Sequence, residues 1–201
     1  MSEESPSRSR LIALREEQRA MQEGYVFLDE KCLLLAGAML RELRRHDALA
    51  AELAAAQQRA AQALAAALAR HGLDGLSVYP AERPEGLTLA LTRATLIGVA
   101  LRQAELHAAA ESTAAAAVFP SPEAEACRLA FRALAEASAP LAAVVGNLTR
   151  LHREYRRTVR RACALHDVVL PELAQAATAM AGQLEELERD EALWVRISRR
   201  G

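Results

Sequence analysis

Cysteine and histidine are the residues of this 201-residue chain best able to hold a metal ion or to act as nucleophile and base. The cysteines form no Cys-x-x-Cys pair and lie far apart: Cys32, Cys127 and Cys163. This spacing predicts neither a zinc site nor a disulfide framework. The histidines are equally scattered: His46, His71, His107, His152 and His166. No His-Glu-x-x-His pattern brings any of them together, so we expect no metal site.

The motifs that bind phosphate or activate a serine are also missing from the sequence. The single lysine, Lys31, follows Glu30 and precedes Cys32, with no glycines placed for a phosphate-binding loop. The sequence has neither a Gly-x-Ser-x-Gly elbow nor a Gly-x-Gly-x-x-Gly turn. We therefore expect no catalytic residues and no cofactor, and a helical enzyme is the least favoured functional class.

Charged stretches are the other candidates for function. One stretch sets its arginines against Glu154 alone: Arg150, Arg153, Arg156, Arg157, Arg160 and Arg161. It is either an ordinary solvated helix face or a contact for an acidic partner, because guanidinium groups pair well with carboxylates. A second stretch, residues 184–191, is mostly acidic and by itself is typical of a solvated helix. The formal net charge of −1 argues against nucleic-acid binding, which needs many uncompensated cations.

The composition favours helices as the elements that carry these residues. Apolar residues make up 52% of the chain but aromatic residues only 3%, with 9 Gly and 7 Pro. Alanine and leucine dominate the apolar share and enter helices at low cost, so we expect a mainly α-helical chain with a thin core. The polar start does not resemble a signal peptide, and the longest apolar run near it, 33–40, is far shorter than the roughly 20 residues of a membrane span. A cytoplasmic protein with no span across the bilayer is expected.

A long apolar seam begins close to the start of the chain. Its positions alternate in spacing between three and four: Leu11, Leu14, Gln18, Met21, Tyr25, Leu28, Cys32, Leu35 and Met39. This heptad pattern is typical of a coiled-coil helix. After Met39 the frame is expected to slip by one residue, to Leu43, His46, Leu49 or Ala50, and Leu53. Gly72 and Gly75 are expected to end the helix.

Residues 71–120 differ from the helical sequence on either side. Residues 87–92 alternate with period two and residues 95–101 are β-branched and apolar, which predicts two short strands in a hairpin. The alanine-rich stretch 108–117 that follows is compatible with a helix or a loop.

A second seam occupies the C-terminal part of the chain. The helical pattern resumes at Ser121 or Pro122, and Pro140 is expected to mark a break. Beyond it the spacing again alternates between four and three: Leu141, Val145, Leu148, His152, Tyr155, Val159, Ala162, His166, Val169, Leu173, Ala176 and Met180. Pro171 lies inside this seam, where its missing backbone donor predicts a kink.

Each seam is too narrow to form one side of a globule and needs a partner helix. The nearest partner is the other seam, so we predict a mainly all-α fold. Residues 1–70 and 121–201 form the two arms of a long antiparallel coiled coil, and residues 71–120 form a small central helical and β-hairpin region.

Three sequence motifs resemble the D subunit of the V-type and archaeal-type rotary ATPases. The first is Ile97-Gly98-Val99 in the central region. The second, R-R-x-x-x-L-x-x-V-x-x-P-x-L, here runs from Arg160 to Leu173. The third, L-E-E-x-E-R-x-E, occupies residues 184–191, and the likeness covers residues 8–200.

This resemblance implies a non-catalytic rotor shaft that couples ATP hydrolysis or synthesis to proton or sodium transport. The coiled coil would sit inside the head of catalytic and non-catalytic nucleotide-binding subunits. The central region would dock on the membrane-rotor socket subunit, beside a small central-stalk subunit, with the chain cytoplasmic and peripheral to the membrane. The expected partner-contact residues are Arg157, Arg160, Arg161, Pro171, Glu185, Glu186, Glu188 and Arg189. The alternative is a stand-alone coiled-coil scaffold or adaptor, which would share both seams.

Overall fold

The computed structural model describes residues 6–80, 87–108 and 121–199. In chain order the elements are helix α1 (Arg8–Ser77), strands β1 (Leu87–Leu96) and β2 (Val99–Ala108), helix α2 (Pro122–Ala164), a π-helical turn (Leu165–Val169) and helix α3 (Leu170–Ser198). The predicted fold class, long N- and C-terminal helical segments around a small β-hairpin, is confirmed. Residues 109–117 of the alanine-rich stretch 108–117 lie outside the described residues.

The structure divides into two compact units. The first unit combines Met1–Leu34 with Tyr155–Gly201, and the second is Leu35–Glu154. In the first unit the helices pair antiparallel, because Arg8 contacts Glu188 whereas Tyr25 contacts the much earlier His166.

The second unit has the same antiparallel pairing and also contains the hairpin. Glu42 bonds to Asn147. His71, which follows Glu42 in α1, bonds to Ser121, which precedes Asn147 in the chain. The buried core of this unit is thin, as the composition predicts, because alanines supply much of it: Ala38, Ala56, Ala60 and Ala67.

The predicted seam of α1 is confirmed up to Met39, since each of its positions is buried or half-buried. The slip predicted after Met39 is wrong at its first position, Leu43, whereas the later predicted positions His46, Leu49, Ala50 and Leu53 are half-buried. Glu42 is only 7% exposed whereas Leu43 is 47% exposed, so the inward-facing row keeps its three–four spacing. The row continues on the same spacing to the buried Ala56, Ala60 and Ala67. A buried carboxylate at a seam position is invisible to a hydrophobic count.

Gly72 ends the regular part of α1, as predicted. Its φ of 68° and ψ of 175° are non-helical, and a short helical stretch containing Gly75 then continues to Ser77. Glycine adopts this left-handed φ without the steric cost that a Cβ atom would bring.

The predicted hairpin is confirmed, but its turn lies inside what the sequence suggested was the second strand, 95–101. β1 and β2 pair antiparallel from Leu87↔Ala108 to Leu96↔Val99, which leaves Ile97 and Gly98 as a two-residue turn. Both turn residues have positive φ, 47° and 81°, as a type I′ turn requires. A positive φ is rare for a β-branched residue such as isoleucine, and this hid the turn from the sequence pattern.

Helix α2 runs through Pro140, so the break predicted there is wrong. A proline inside a helix costs about 3 kcal/mol. A helix of 43 residues with a packed face can absorb that cost. The inward row of α2 also differs from the prediction at two positions, since Val144 and Leu151 are buried whereas Val145 and His152 are exposed.

The irregularity predicted around Pro171 takes the form of the π-helical turn. The Leu170 N–H bonds to the carbonyl oxygen of Leu165, five residues back, instead of four. Pro171 follows at the start of α3 and has no N–H to donate to a carbonyl of the turn before it, which fits the irregular hydrogen bonding there.

Candidate partner-contact surface and buried polar cluster

The predicted arginine contacts lie on the outside of α2. Arg157, Arg160 and Arg161 are all exposed. The Nε of Arg160 donates to the carbonyl oxygen of Arg156 at 3.3 Å, a contact within the helix. Across 6–80, 87–108 and 121–199, none of these three guanidinium groups forms a salt bridge with a carboxylate. Among these described residues, their positive charge is therefore not paired with a carboxylate.

The predicted acidic contacts near the end of α3 are partly used inside the chain. The Arg8 Nη2 lies 2.5 Å from the Glu188 Oε1, and the Arg189 Nη2 lies 3.2 Å from the Glu185 Oε2. The hydrogen bond that Arg8 donates to Glu188, followed by the negative charge of Glu188, raises the pKa of Arg8. Glu188 thus joins α3 to α1, whereas Glu186 is exposed to solvent.

Aromatic contact joins the π-helical turn to α1. The ring centroids of Tyr25 and His166 are 5.2 Å apart, with the rings tilted by 38°. The Nδ1 of His166 lies 2.8 Å from the Oδ1 of Asp167, and Pro171 is exposed. The predicted arginines, proline and acidic residues therefore occupy successive stretches of α2 and α3, separated by this turn.

Sequence reasoning missed a buried polar cluster around Asn147, in the second unit. Asn147 lies on α2 and is 1% exposed. Its Oδ1 accepts the backbone N–H of Arg102 at 2.8 Å, and its Nδ2 donates to the carbonyl oxygen of Arg102 at 2.9 Å. The amide thus pairs with β2 as a residue of a neighbouring strand would.

Charged side chains complete the hydrogen bonding of Asn147. Its Nδ2 also donates to the Glu42 Oε2 at 3.0 Å, and the Arg150 Nη2 donates to its Oδ1 at 2.6 Å. Arg150 Nε reaches the carbonyl oxygen of Ala100 at 2.8 Å, and Arg45 donates to the Glu42 Oε1 at 2.9 Å. Both donors and both acceptor positions of the Asn147 amide are therefore filled.

The buried polar cluster is fully satisfied. Throughout the part of the chain that the structure describes, every buried side-chain nitrogen or oxygen has a hydrogen-bond partner. Leaving one partner of such a bond unpaired costs about 1–3 kcal/mol. One signal in the sequence could have revealed Glu42: the three–four count from Leu11, continued without regard to residue type, reaches position 42.

A second polar group joins the end of α1 to the start of α2. The His71 Nε2 lies 2.6 Å from the Ser121 Oγ, which also accepts the Ala124 N–H and donates to the Glu123 Oε2 at 3.1 Å. The N–H of Glu123 itself, followed by the Ser121 hydroxyl, lowers the pKa of the Glu123 carboxyl. Ser121 serves as a helix cap, so this Ser–His contact has a structural role.

Metal-ligating residues do not cluster in the described residues, where no group of three His, Cys, Asp or Glu side chains could hold an ion. Cys127 is buried, Cys32 half-buried and Cys163 exposed.

One helical stretch, Pro122–Ser198, is long and apolar enough to cross a membrane by length and composition alone. Its most apolar 18-residue window has a mean hydropathy of 1.4 and is 11% buried. The apolar run 33–40 near the start of the chain is too short to span a membrane, whereas this window lies in the C-terminal half.

The sequence from residue 10 to residue 199 matches the family described as the ATP synthase D subunit. The chain belongs to this family. It is similar to the V-type ATP synthase D subunit of Thermotoga neapolitana, with 24% identity over 93% of this chain and 92% of that protein. A V-type ATP synthase D subunit of Anaeromyxobacter dehalogenans strain 2CP-1 is 30% identical over 98% of this chain and 95% of its own length.

An archaeal relative shows that the likeness extends beyond bacteria. The A-type ATP synthase D subunit of Methanoregula boonei is 27% identical over 92% of this chain and 90% of that protein. The resemblance inferred from the three motifs is confirmed. In this member of the D-subunit family, the exposed arginines offer positive charge and the Asn147 cluster is a buried hydrogen-bond network.

Proposed function

We propose that this chain is the central rotor shaft of a V/A-type ATP synthase. It would couple ATP hydrolysis or synthesis in the head to proton or sodium transport by rotation. The match to the D-subunit family over residues 10–199 carries the proposal. The antiparallel pairing within each unit supports it, because two packed helices resist bending and twisting better than one.

The shaft would act on the head through a surface that differs from side to side. Differential contact at successive nucleotide-binding interfaces biases their open and closed states. Arg157, Arg160 and Arg161 supply such asymmetry, because their exposed charge attracts carboxylates on one side of the helix only. The nucleotide chemistry itself belongs to the catalytic subunits of the head, and this chain has a non-catalytic role.

An exposed apolar patch on α1 is the surface we assign to the small central-stalk subunit. Val26, Phe27, Leu33 and Leu34 are each between 47% and 68% exposed. Their seven-residue repeat places them on one face, which fits a helix laid alongside α1. Contiguous exposed apolar residues of this kind mark protein interfaces.

The hairpin is the surface we assign to the socket subunit of the membrane rotor. Leu89 and Leu91 lie on the same face of β1, because alternate residues of a strand point to the same side, and each is 51% exposed. A socket with an apolar rim would cover them.

The chain is proposed to be cytoplasmic and peripheral to the membrane. The helix that contains the apolar window also packs Val144 and Leu151 inward, so part of its apolar surface already has a protein partner. Alkaline carbonate should release the chain from membranes together with the head. Retention of the chain in the carbonate-washed bilayer would contradict the peripheral location.

Co-purification is the direct test of the shaft. A tagged full chain is expected to isolate with two kinds of nucleotide-binding subunit, at one copy of the chain per hexameric head. Isolation of the chain alone, or with partners that do not bind nucleotides, would favour the scaffold alternative.

Truncation then tests the coupling. Removal of residues 1–10, or of the segment after Leu187, should reduce ion pumping more than ATP hydrolysis. Unchanged pumping in a truncated complex would rule out a shaft that acts through these ends.

A further inference from the structure

We infer that Asn147 is a positioning residue that clamps the β-hairpin to the two helices, so that hairpin and helices turn as one body. The mechanical meaning of this inference rests on the proposed shaft function. The clamp itself stands on the contacts of the second unit, Leu35–Glu154, and can be tested without the complex.

The clamp acts on the outer edge of β2. An edge strand presents unpaired N–H and C=O groups, and those of alternate residues point to the same edge. Asn147 bonds both backbone groups of Arg102, and Arg150 bonds the carbonyl oxygen of Ala100, two residues away. Three neighbouring backbone groups of this edge are therefore held by side chains of α2, which takes the place of a third strand.

The same amide also fastens α1. The Glu42 carboxylate accepts from Asn147 and from Arg45, so one buried side chain of α2 contacts both α1 and β2. Glu42 occupies a seam position, and a buried polar residue at such a position fixes the register of paired helices. Sliding α1 by one helical turn would leave the Glu42 carboxylate buried without the Asn147 amide that donates to it.

Directional bonds matter here because the hairpin has little apolar packing. β1 is exposed along its length except at its two ends, and among residues 99–107 of β2 only Val99 and Ala104 are buried. An isolated two-stranded hairpin is marginally stable in water. Its orientation on the helices therefore depends heavily on the bonds to Asn147 and Arg150.

Hydrogen exchange in the full chain tests the clamp directly. Asn147→Leu keeps a similar volume and removes all four hydrogen bonds of the amide. We expect the backbone amide of Arg102 to exchange at least about tenfold faster, because local opening becomes easier, with no such change around Leu151. Thr149→Ala is the matched control, since that exposed hydroxyl donates to the carbonyl oxygen of Val145 on its own helix. Equal protection of Arg102 with and without Asn147→Leu would overturn the clamp.

A compensating pair tests the part played by Glu42. Asn147→Asp keeps the acceptor oxygen for the Arg102 N–H but removes both donors and sets two carboxylates side by side, so the Arg102 amide should exchange faster than in the unaltered chain. Adding Glu42→Gln removes one charge and supplies a new donor, and should slow that exchange again by at least about threefold. No recovery in the double variant would exclude Glu42 from the clamp.

The ions moved per ATP hydrolysed, measured in vesicles with the assembled complex, test the consequence for rotation. Asn147→Leu should lower this ratio by at least about twofold, since a loosened hairpin yields before it transmits torque, whereas Thr149→Ala should not. A loosened hairpin with an unchanged ratio would overturn the transmission role. Failure of the chain to assemble into any ATPase would refute the proposed function instead, and the exchange result would still decide the clamp.

Discussion

Arg8 and Glu188 form an ion pair at 2.5 Å although 180 residues of chain separate them. The pair shows directly that the first turn of α1 lies beside the second half of α3. Both side chains are exposed, so the attraction between them is screened by salt.

We predict that Glu188→Gln lowers the melting temperature slightly at low ionic strength, and that the difference disappears near 1 M salt. Reversing both charges, with Arg8→Glu and Glu188→Arg, should restore the low-salt value. Glu186→Gln, on the same helix, serves as control. A loss that persists at high salt would mean that the contact stabilises through packing instead of charge.

The hairpin turn offers a substitution that should stabilise the protein. Ile97 has a φ of 47°, which asparagine tolerates far better than a β-branched residue. Ile97→Asn creates the Asn-Gly pair preferred in type I′ turns and should add about 1 kcal/mol to the free energy of unfolding of the hairpin.

The neighbouring Gly98 gives the opposite result. Its φ is 81°, and a Cβ atom there would meet nothing within 4 Å, so any cost is purely conformational. Gly98→Ala should destabilise the hairpin by about 1 kcal/mol. Hydrogen exchange of β1 amides measures both changes, and equal exchange in the two variants would refute this account of the turn.

Two leucines close together in α1 should respond very differently to truncation. Leu35 is fully buried and Leu33 is 68% exposed. Leu35→Ala should cost about 2–5 kcal/mol in denaturant unfolding, because it leaves a cavity. Leu33→Ala should change stability by no more than about 0.5 kcal/mol, and should instead weaken binding of the small central-stalk subunit. Similar losses for both would contradict the inward row described for α1.

Alkylation of the three cysteines should follow their exposure and charge. Burial, followed by the charges of Asp29 and Cys163, raises the pKa of the Cys32 thiol. Because the thiolate is the reactive form, Cys32 should be alkylated only at a higher pH than an ordinary thiol of pKa about 8.5. Peptide mass spectrometry over pH 7–10 measures this, with the exposed Cys163 reacting first and the buried Cys127 last.

The raised pKa of Cys32 also makes its contribution to the free energy of unfolding depend on pH. The contribution of Cys32 is fully present below the pKa of the unfolded thiol and is lost as the pH rises through the folded pKa. Fast alkylation of Cys32 at neutral pH would contradict its placement between the helices.

Heptad spacing predicted most of α1 because burial there follows a strict period, and it failed where burial depends on a polar partner. Glu42 is buried opposite Asn147, and a count of apolar residues passes over position 42 because a carboxylate stands there. In α2 the row is displaced for a different reason. Val144 and Leu151 face inward while Val145 and His152 do not, because the predicted row was counted through Val145 and the sequence does not distinguish this residue from the adjacent Val144.

The sequence also predicted some properties of the partner-contact residues and missed others. The exposure of Arg157 and Arg161 followed from the helical pattern. The pairing of Glu188 with Arg8 did not, because two residues 180 positions apart meet only when the register of the two helices is known. The sequence indicated a charged stretch, and the fold determines that Glu188 forms an ion pair within the chain.

The π-helical turn lets α3 keep the correct side toward α1. Before the turn, the inward row repeats every seven residues through Val144, Leu151, Thr158 and Leu165, but it resumes at Leu173, eight residues on. One added residue in a regular helix would rotate everything after it by about 100°. The π-helical turn accommodates the extra residue within its wider turn, so the helix after it keeps its orientation. Deleting a single residue here should therefore remove the misfit and yield an uninterrupted α-helix that still turns the same face of α3 toward its neighbour.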